Sequence, residues 1–189
     1  MLASPTIQFI SLVYPATVIA EVNIAGTIVV TPNSPTCTVT SSSKNISVPM
    51  GTVSRNAITG PGSVSPTAQA FGIDLTCSGG RSGGLANNIY VTLTDQANPS
   101  NTSDILPLTN QPGSATGVGI QVFYNGSAVH FGQASDTFGN PGQWSAGSTL
   151  PGAAGNGSYH IPLTAQYVKT GNITAGSAAA YATFTMSYH

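Results

Sequence analysis

Residues 178–189 read AAAYATFTMSYH, and two faces separate in that stretch. Ala182, Phe184, Met186 and Tyr188 fall on one side; Tyr181, Thr183, Thr185 and Ser187 fall on the other. A period of two is the mark of a half-buried β-strand. Aromatic and β-branched residues fill the stretch from Tyr181 on, and neither Gly nor Pro interrupts it. No turn and no returning strand follows. Such a strand is either an ordinary sheet edge or one that another chain covers, because long apolar edges are normally protected.

The rest of the chain is also written in strands. Val22, Ile24, Gly26, Ile28 and Val30 alternate within 21–31, where Gly26 marks a bulge or a close backbone approach. Ile46, Val48 and Met50 form a short strand that Pro49 restricts to an edge. Phe71, Ile73, Leu75 and Cys77 alternate, as do Ile89, Val91 and Leu93, and then Val118, Ile120, Val122 and Tyr124. A short apolar piece spans 105–108. Asn125-Gly126 is the strongest hairpin signal, with a return strand over 128–131. Residues 132–157 read as a long loop carrying the only tryptophan, Trp144. Ile161, Leu163, Ala165 and Tyr167 make the penultimate strand, and 169–176 turn the chain into the last one. About eight or nine short strands with frequent turns and no helical window predict an all-β Greek-key sandwich.

A length of 189 residues is enough for one domain with a real core. Only 5% of residues are charged and the net charge is −1, so nothing points to nucleic acid or an anionic membrane. Apolar residues reach 40%, which is not the composition of a disordered chain. The run 7–20, IQFISLVYPATVIA, is too short to span a bilayer and has no preceding Lys or Arg, so the chain reads as a mature or excised form. Cys37 and Cys77 each sit beside Thr in an extended segment. In a charge-poor chain of extracytoplasmic character they are expected to form one disulfide, two unpaired core thiols being the alternative. Closing a loop of about 40 residues would stabilise the fold by about 4 kcal/mol.

Catalytic patterns are lacking. His130, His160 and His189 have no metal-ligand spacing, and no GxSxG elbow occurs. The glycines around 79–84 lack the GK[ST] of a phosphate loop. The chain is read as a non-enzyme without metal or cofactor. Trp144 could stack on a sugar, which would suit a free-standing carbohydrate-binding sandwich, or it could plug an end of the sandwich.

Several pieces in order resemble one family. Cys37 and Cys77 stand at its cysteine spacing, and FGIDLTC (71–77) is similar to its strand bearing the second cysteine. GVGIQVFYNG (117–126) resembles its central hairpin. IPLTAQYVKTGNITAGSAAAYATFTMSYH (161–189) resembles its last two strands, with Tyr188 as the penultimate tyrosine. The family is that of the pilin subunits of bacterial chaperone–usher pili, and the resemblance covers residues 21–189. DQANPSNTSDILPLT (95–109) and the Trp144 loop look most like the C-terminal pilin domain of tip adhesins.

The resemblance implies an incomplete immunoglobulin-like sandwich whose missing strand is donated by another chain. A periplasmic chaperone would lend that strand first, and a neighbouring subunit would replace it after passage to the outer-membrane usher. Ala182, Phe184, Met186 and Tyr188 would form the docking edge, with the carboxylate of His189 as an anchor for the chaperone. Residues 1–20 would be a linker or the remnant of a preceding receptor-binding domain. A donor-strand extension is the alternative, although Ile7, Phe9, Ser11 and Val13 alternate only in part. The implied location is the periplasm in transit, then the pilus on the bacterial surface, where the subunit supports cell adhesion.

Overall fold

The computed structural model describes residues 35–79, 87–149 and 157–188, together with the strands β1 (Thr6–Ile10) and β2 (Val18–Asn23). β1 and β2 pair antiparallel, with Thr6 opposite Asn23 and Phe9 opposite Ala20. They belong to a unit, Met1–Thr31, distinct from Pro32–His189. Of the strand expected over 21–31, only 21–23 is described, at the end of β2; Gly26 lies outside the described residues. So do Ser11 and Val13 and most of the glycine-rich loop after Gly79.

The second unit is all-β. Its strands are β3 (Thr36–Val39), β4 (Gln69–Ser78), β5 (Asn88–Asp95), β6 (Leu106–Pro107), β7 (Thr116–Tyr124), β8 (Ser127–Ala128), β9 (Trp144–Ser148), β10 (Gly157–Thr174) and β11 (Ala182–Tyr188). Helical geometry among the described residues is confined to two 3-10 turns, Ser41–Ser43 and Arg55–Ala57. Among the described residues no helix is long and apolar enough to cross a membrane. One sheet runs β3-β4-β10-β7-β6, with β8 on β7; the other runs β11-β5-β9.

The period-two faces of the two sheets meet in one core. Ile73 and Leu75 of β4, Ile120 and Val122 of β7, and Ile161 and Leu163 of β10 are buried from one sheet. Ile89, Val91 and Leu93 of β5 are buried from the other. Cys37 and Cys77 stand opposite each other in the β3–β4 register and form a disulfide. Asn125 and Gly126 both take positive φ, 49° and 80°, and close the β7–β8 hairpin with two residues.

Four expectations differ from the structure. Residues 46–50 form no strand. The return strand expected over 128–131 is only Ser127–Ala128. β10 continues to Thr174 through 169–174, residues expected to turn, although its register breaks between Lys169 and Thr174. Thr174 is held there by Thr116, hydroxyl to hydroxyl at 2.6 Å. Trp144 begins a strand, β9, instead of sitting in a loop. Ser, Gly and Ala around it supply no apolar alternation, so pairing with β5 makes that strand, and no local pattern announces it.

Candidate functional site

β11 pairs with β5 in unbroken antiparallel register, from Ala182 opposite Asp95 to Tyr188 opposite Ile89. Opposite residues share a face, so Phe184, Met186 and Tyr188 point the same way as Leu93, Val91 and Ile89. The β5 residues are 6%, 0% and 0% exposed, whereas Phe184, Met186 and Tyr188 are only half-buried, although they pack on the same core. Ala182, on that face too, is exposed. Ser187, on the other face, is buried and accepts from Gln143 Nε2 at 3.1 Å. Among the described residues only β5 bonds to the backbone of β11. Among the described residues one side of the strand is a bare ladder, with no strand beside its half-buried inward side chains. His189 lies outside the described residues.

A second flank has the same defect. Ile46, Val48 and Met50 are half-buried and pack on the core, while Ser47 and Pro49 are exposed. This is the burial alternation of a strand, yet no described strand pairs with it. The alternation was legible in the sequence, whereas the lack of a partner could not be read there.

Two contacts link segments that lead toward these flanks. At one end Asn87 Nδ2 donates to the Pro35 carbonyl at 2.6 Å. Asn87 adjoins the end of β5 that faces Tyr188, and Pro35 leads into β3 and on toward residue 46. At the other end 51–58 and 173–178 line one cleft of about 530 Å³, with Val53, Ile58, Val118, Tyr167 and Ile173 as its apolar walls. Ala178, on its rim, leads into β11. No hydrogen bond among the described residues joins the flanks along their length. The arrangement can accept one extended chain by backbone pairing, with alternate apolar side chains turned inward.

The other edge of that sheet is β9, which pairs with β5 alone among the described residues. Trp144 is half-buried on the core with its ring 4.6 Å from that of Tyr124, and its Nε1 is buried without a described partner. A cavity of about 300 Å³ beside it is lined by Tyr124, Val129, His130, Gln143 and Trp144 among others. The hydroxyls of Tyr124 and Tyr159 both donate to the Ala146 carbonyl, at 2.9 and 2.8 Å. Sequence reasoning missed this pair, because nothing local links three residues so far apart in the chain.

The histidines are scattered. His160 Nδ1 meets Asp74 Oδ1 at 2.6 Å across β10 and β4, and His130 Nδ1 lies 3.2 Å from the Thr102 carbonyl. Among the described residues no group of three or more His, Cys, Asp or Glu could hold a metal ion.

Comparison with known proteins assigns this architecture. The fimbrial protein family matches residues 22–189. This chain belongs to that family. The family is one of structural fimbrial proteins, which form surface pili, and membership implies assembly with other pilus subunits. This fimbrial subunit is 39% identical over 105 residues to the F17c-G and F17b-G fimbrial adhesins of Escherichia coli. The match takes in 53% of this chain and 28% of each adhesin, so the chain spans just over a quarter of those relatives. Two solved structures share the fold at 21% identity. The P pilus rod subunit PapA gives a TM-score of 0.57 and covers 81% of this chain and 99% of that one. The CupB6 tip adhesin of Pseudomonas aeruginosa gives 0.54, covering 72% of this chain and 35% of that one. The fold is the incomplete immunoglobulin-like sandwich of pilins.

Proposed function

We propose that this fimbrial subunit is the pilin domain of a tip adhesin in a chaperone–usher pilus, and that it accepts a donor strand along β11. The observation that carries the reading is the bare side of β11: seven residues in unbroken register, with inward side chains half-buried beside fully buried neighbours. The incoming strand lies between β11 and residues 46–50, pairing with the backbone of Ala182, Phe184, Met186 and Tyr188 or of their neighbours. A strand that buries four apolar side chains there gains roughly 6–12 kcal/mol gross. Ordering the strand offsets part of that gain.

A periplasmic chaperone supplies the strand first, and a neighbouring subunit replaces it at the outer-membrane usher. His189 anchors its terminal carboxylate on the chaperone. The adhesin names of the relatives support the tip position, together with the length by which they exceed this chain. On this reading residues 1–20 are the end of a preceding receptor-binding domain or the linker from it, and 21–189 are the pilin domain. The self-pairing of β1 with β2 favours this over a free donor strand, because a lone two-stranded hairpin is marginal in water and belongs with a larger sheet. The protein works without catalysis. Trp144 acts as a plug, since its ring is turned onto Tyr124 and the core.

The test adds a peptide of alternating apolar residues and follows thermal unfolding. The wild type is expected to gain a large rise in Tm and the Phe184→Asp variant a much smaller one, because the aspartate would be buried unpaired. A stable wild-type monomer that no such peptide shifts would mean that the sheet is already complete.

A further inference from the structure

The three-stranded sheet has two edges, β11 and β9, and among the described residues each pairs with β5 alone. β9 pairs with β5 on one side alone, so in principle it too could accept a strand. Its register slips: Tyr90 lies opposite Ser145 but Ile89 lies opposite Gly147, which leaves Ala146 as the extra residue of a bulge. A bulged residue drops out of the ladder, and its carbonyl becomes free for another donor. Two donors take it. Tyr124 at the end of β7 and Tyr159 near the start of β10 reach across from the opposite sheet, and each hydroxyl donates to the Ala146 carbonyl. A carbonyl oxygen has two lone pairs, so this acceptor is saturated.

Gly147 is an independent sign that the contact is built in. Its φ is +108°, and a Cβ there would run into the Tyr159 hydroxyl. Only glycine leaves room for the tyrosine to reach the strand. β11 has none of these features: no bulge, no glycine, and no side chain of the other sheet bonded to its backbone among the described residues.

We propose that Tyr124 and Tyr159 are specificity determinants of strand acceptance: they hold β9 down on the opposite sheet and leave β11 as the single edge open to a donor strand. The proposal rests on the reading of β11 as the acceptor. It adds that one-sided acceptance is enforced by a tyrosine clip at the far edge, so that each subunit takes one strand and assembly stays linear.

The test compares the wild type with the Tyr124→Phe/Tyr159→Phe double variant, which keeps both rings and loses only the hydroxyls. An alternating apolar peptide carrying a photo-crosslinker is titrated in, and stoichiometry is read by native mass spectrometry. The wild type is expected to take one peptide, cross-linked within 182–188. The double variant is expected to take a second, cross-linked within 144–148, with its occupancy rising at least tenfold over wild type. A folded double variant that still takes one peptide, with no cross-link to β9, overturns the proposal. Should the double variant fail to fold, the two single variants carry the test: the clip requires that at least one of them admit the second strand, and uptake by neither overturns it. A wild type that takes no peptide at β11 refutes the acceptor reading instead, while the comparison at β9 remains readable.

Discussion

Gly147 sits where two demands meet. Its φ of +108° is one that L side chains rarely adopt, and the Tyr159 hydroxyl occupies the space of a side chain. Elsewhere, glycine to alanine in a compatible conformation stabilises a protein by about 0.4–1 kcal/mol, because the unfolded chain loses freedom. Here the sign should reverse. Gly147→Ala is expected to lower stability by about 1–3 kcal/mol, the usual cost of a strained backbone position. Urea unfolding with an unchanged slope is the measurement, and a rise in midpoint would show that the Tyr159 contact is dispensable. Such a residue is invisible in the sequence, where QWSAGSTL reads as loop, because the tyrosine that makes Gly147 necessary is remote in the chain. Cys37 and Cys77 were legible for the opposite reason. Each stands in an extended segment, and the β3–β4 register brings the two into direct opposition.

At the scale of elements, the sandwich treats its edges unequally. β6 is two residues long and ends in Pro107, and both shortness and proline discourage added strands. β9 is bulged and clipped. Among the described edge strands β11 is the longest, in unbroken register and with Phe184, Met186 and Tyr188 on its inward face. The two faces of β11 should therefore respond differently to charge. Thr183 is exposed on the outer face, whereas Met186 is half-buried on the inner one. Thr183→Asp is expected to leave peptide binding within about threefold of wild type, as surface substitutions usually change stability by no more than about 0.5 kcal/mol. Met186→Asp is expected to weaken binding at least a hundredfold, since the donor strand would bury an unpaired carboxylate. Calorimetric titration of both variants decides it, and equal losses would place the donor strand elsewhere. The alternation that defines β11 was plain in the sequence, because its period is local. That of 46–50 was equally plain but misled, because apolar alternation specifies an inward face and a strand additionally needs a partner.

The whole molecule carries few charges, so its response to pH rests partly on tyrosine. The hydroxyls of Tyr159, Tyr167 and Tyr188 are pushed above the ordinary tyrosine value of about 10. Burial is the cause in all three, and at Tyr159 the neighbouring Tyr124 adds to it. A raised value means that the folded protein holds these protons more tightly than the unfolded chain does. The stability they contribute is complete below about pH 10, where both states are neutral, and is lost as pH climbs through the raised values. The fold should therefore weaken on the alkaline side with an unfolding midpoint above about pH 10. The three tyrosines lie in different settings: Tyr159 in the clip on β9, Tyr167 on the wall of the cleft between 51–58 and 173–178, and Tyr188 on the inward face of β11. A donor strand laid along β11 covers Tyr188 further and adds binding energy to the folded state alone. Its bound form should then unfold at higher pH than the free protein. Substituting Tyr188 by Phe, which removes the titrating group, should shrink the alkaline loss in the free protein and narrow that gap. Ultraviolet titration of tyrosinate absorbance beside circular dichroism, with and without the peptide, measures both transitions. An alkaline midpoint that the peptide leaves unmoved would mean that the strand does not reach the face where Tyr188 stands.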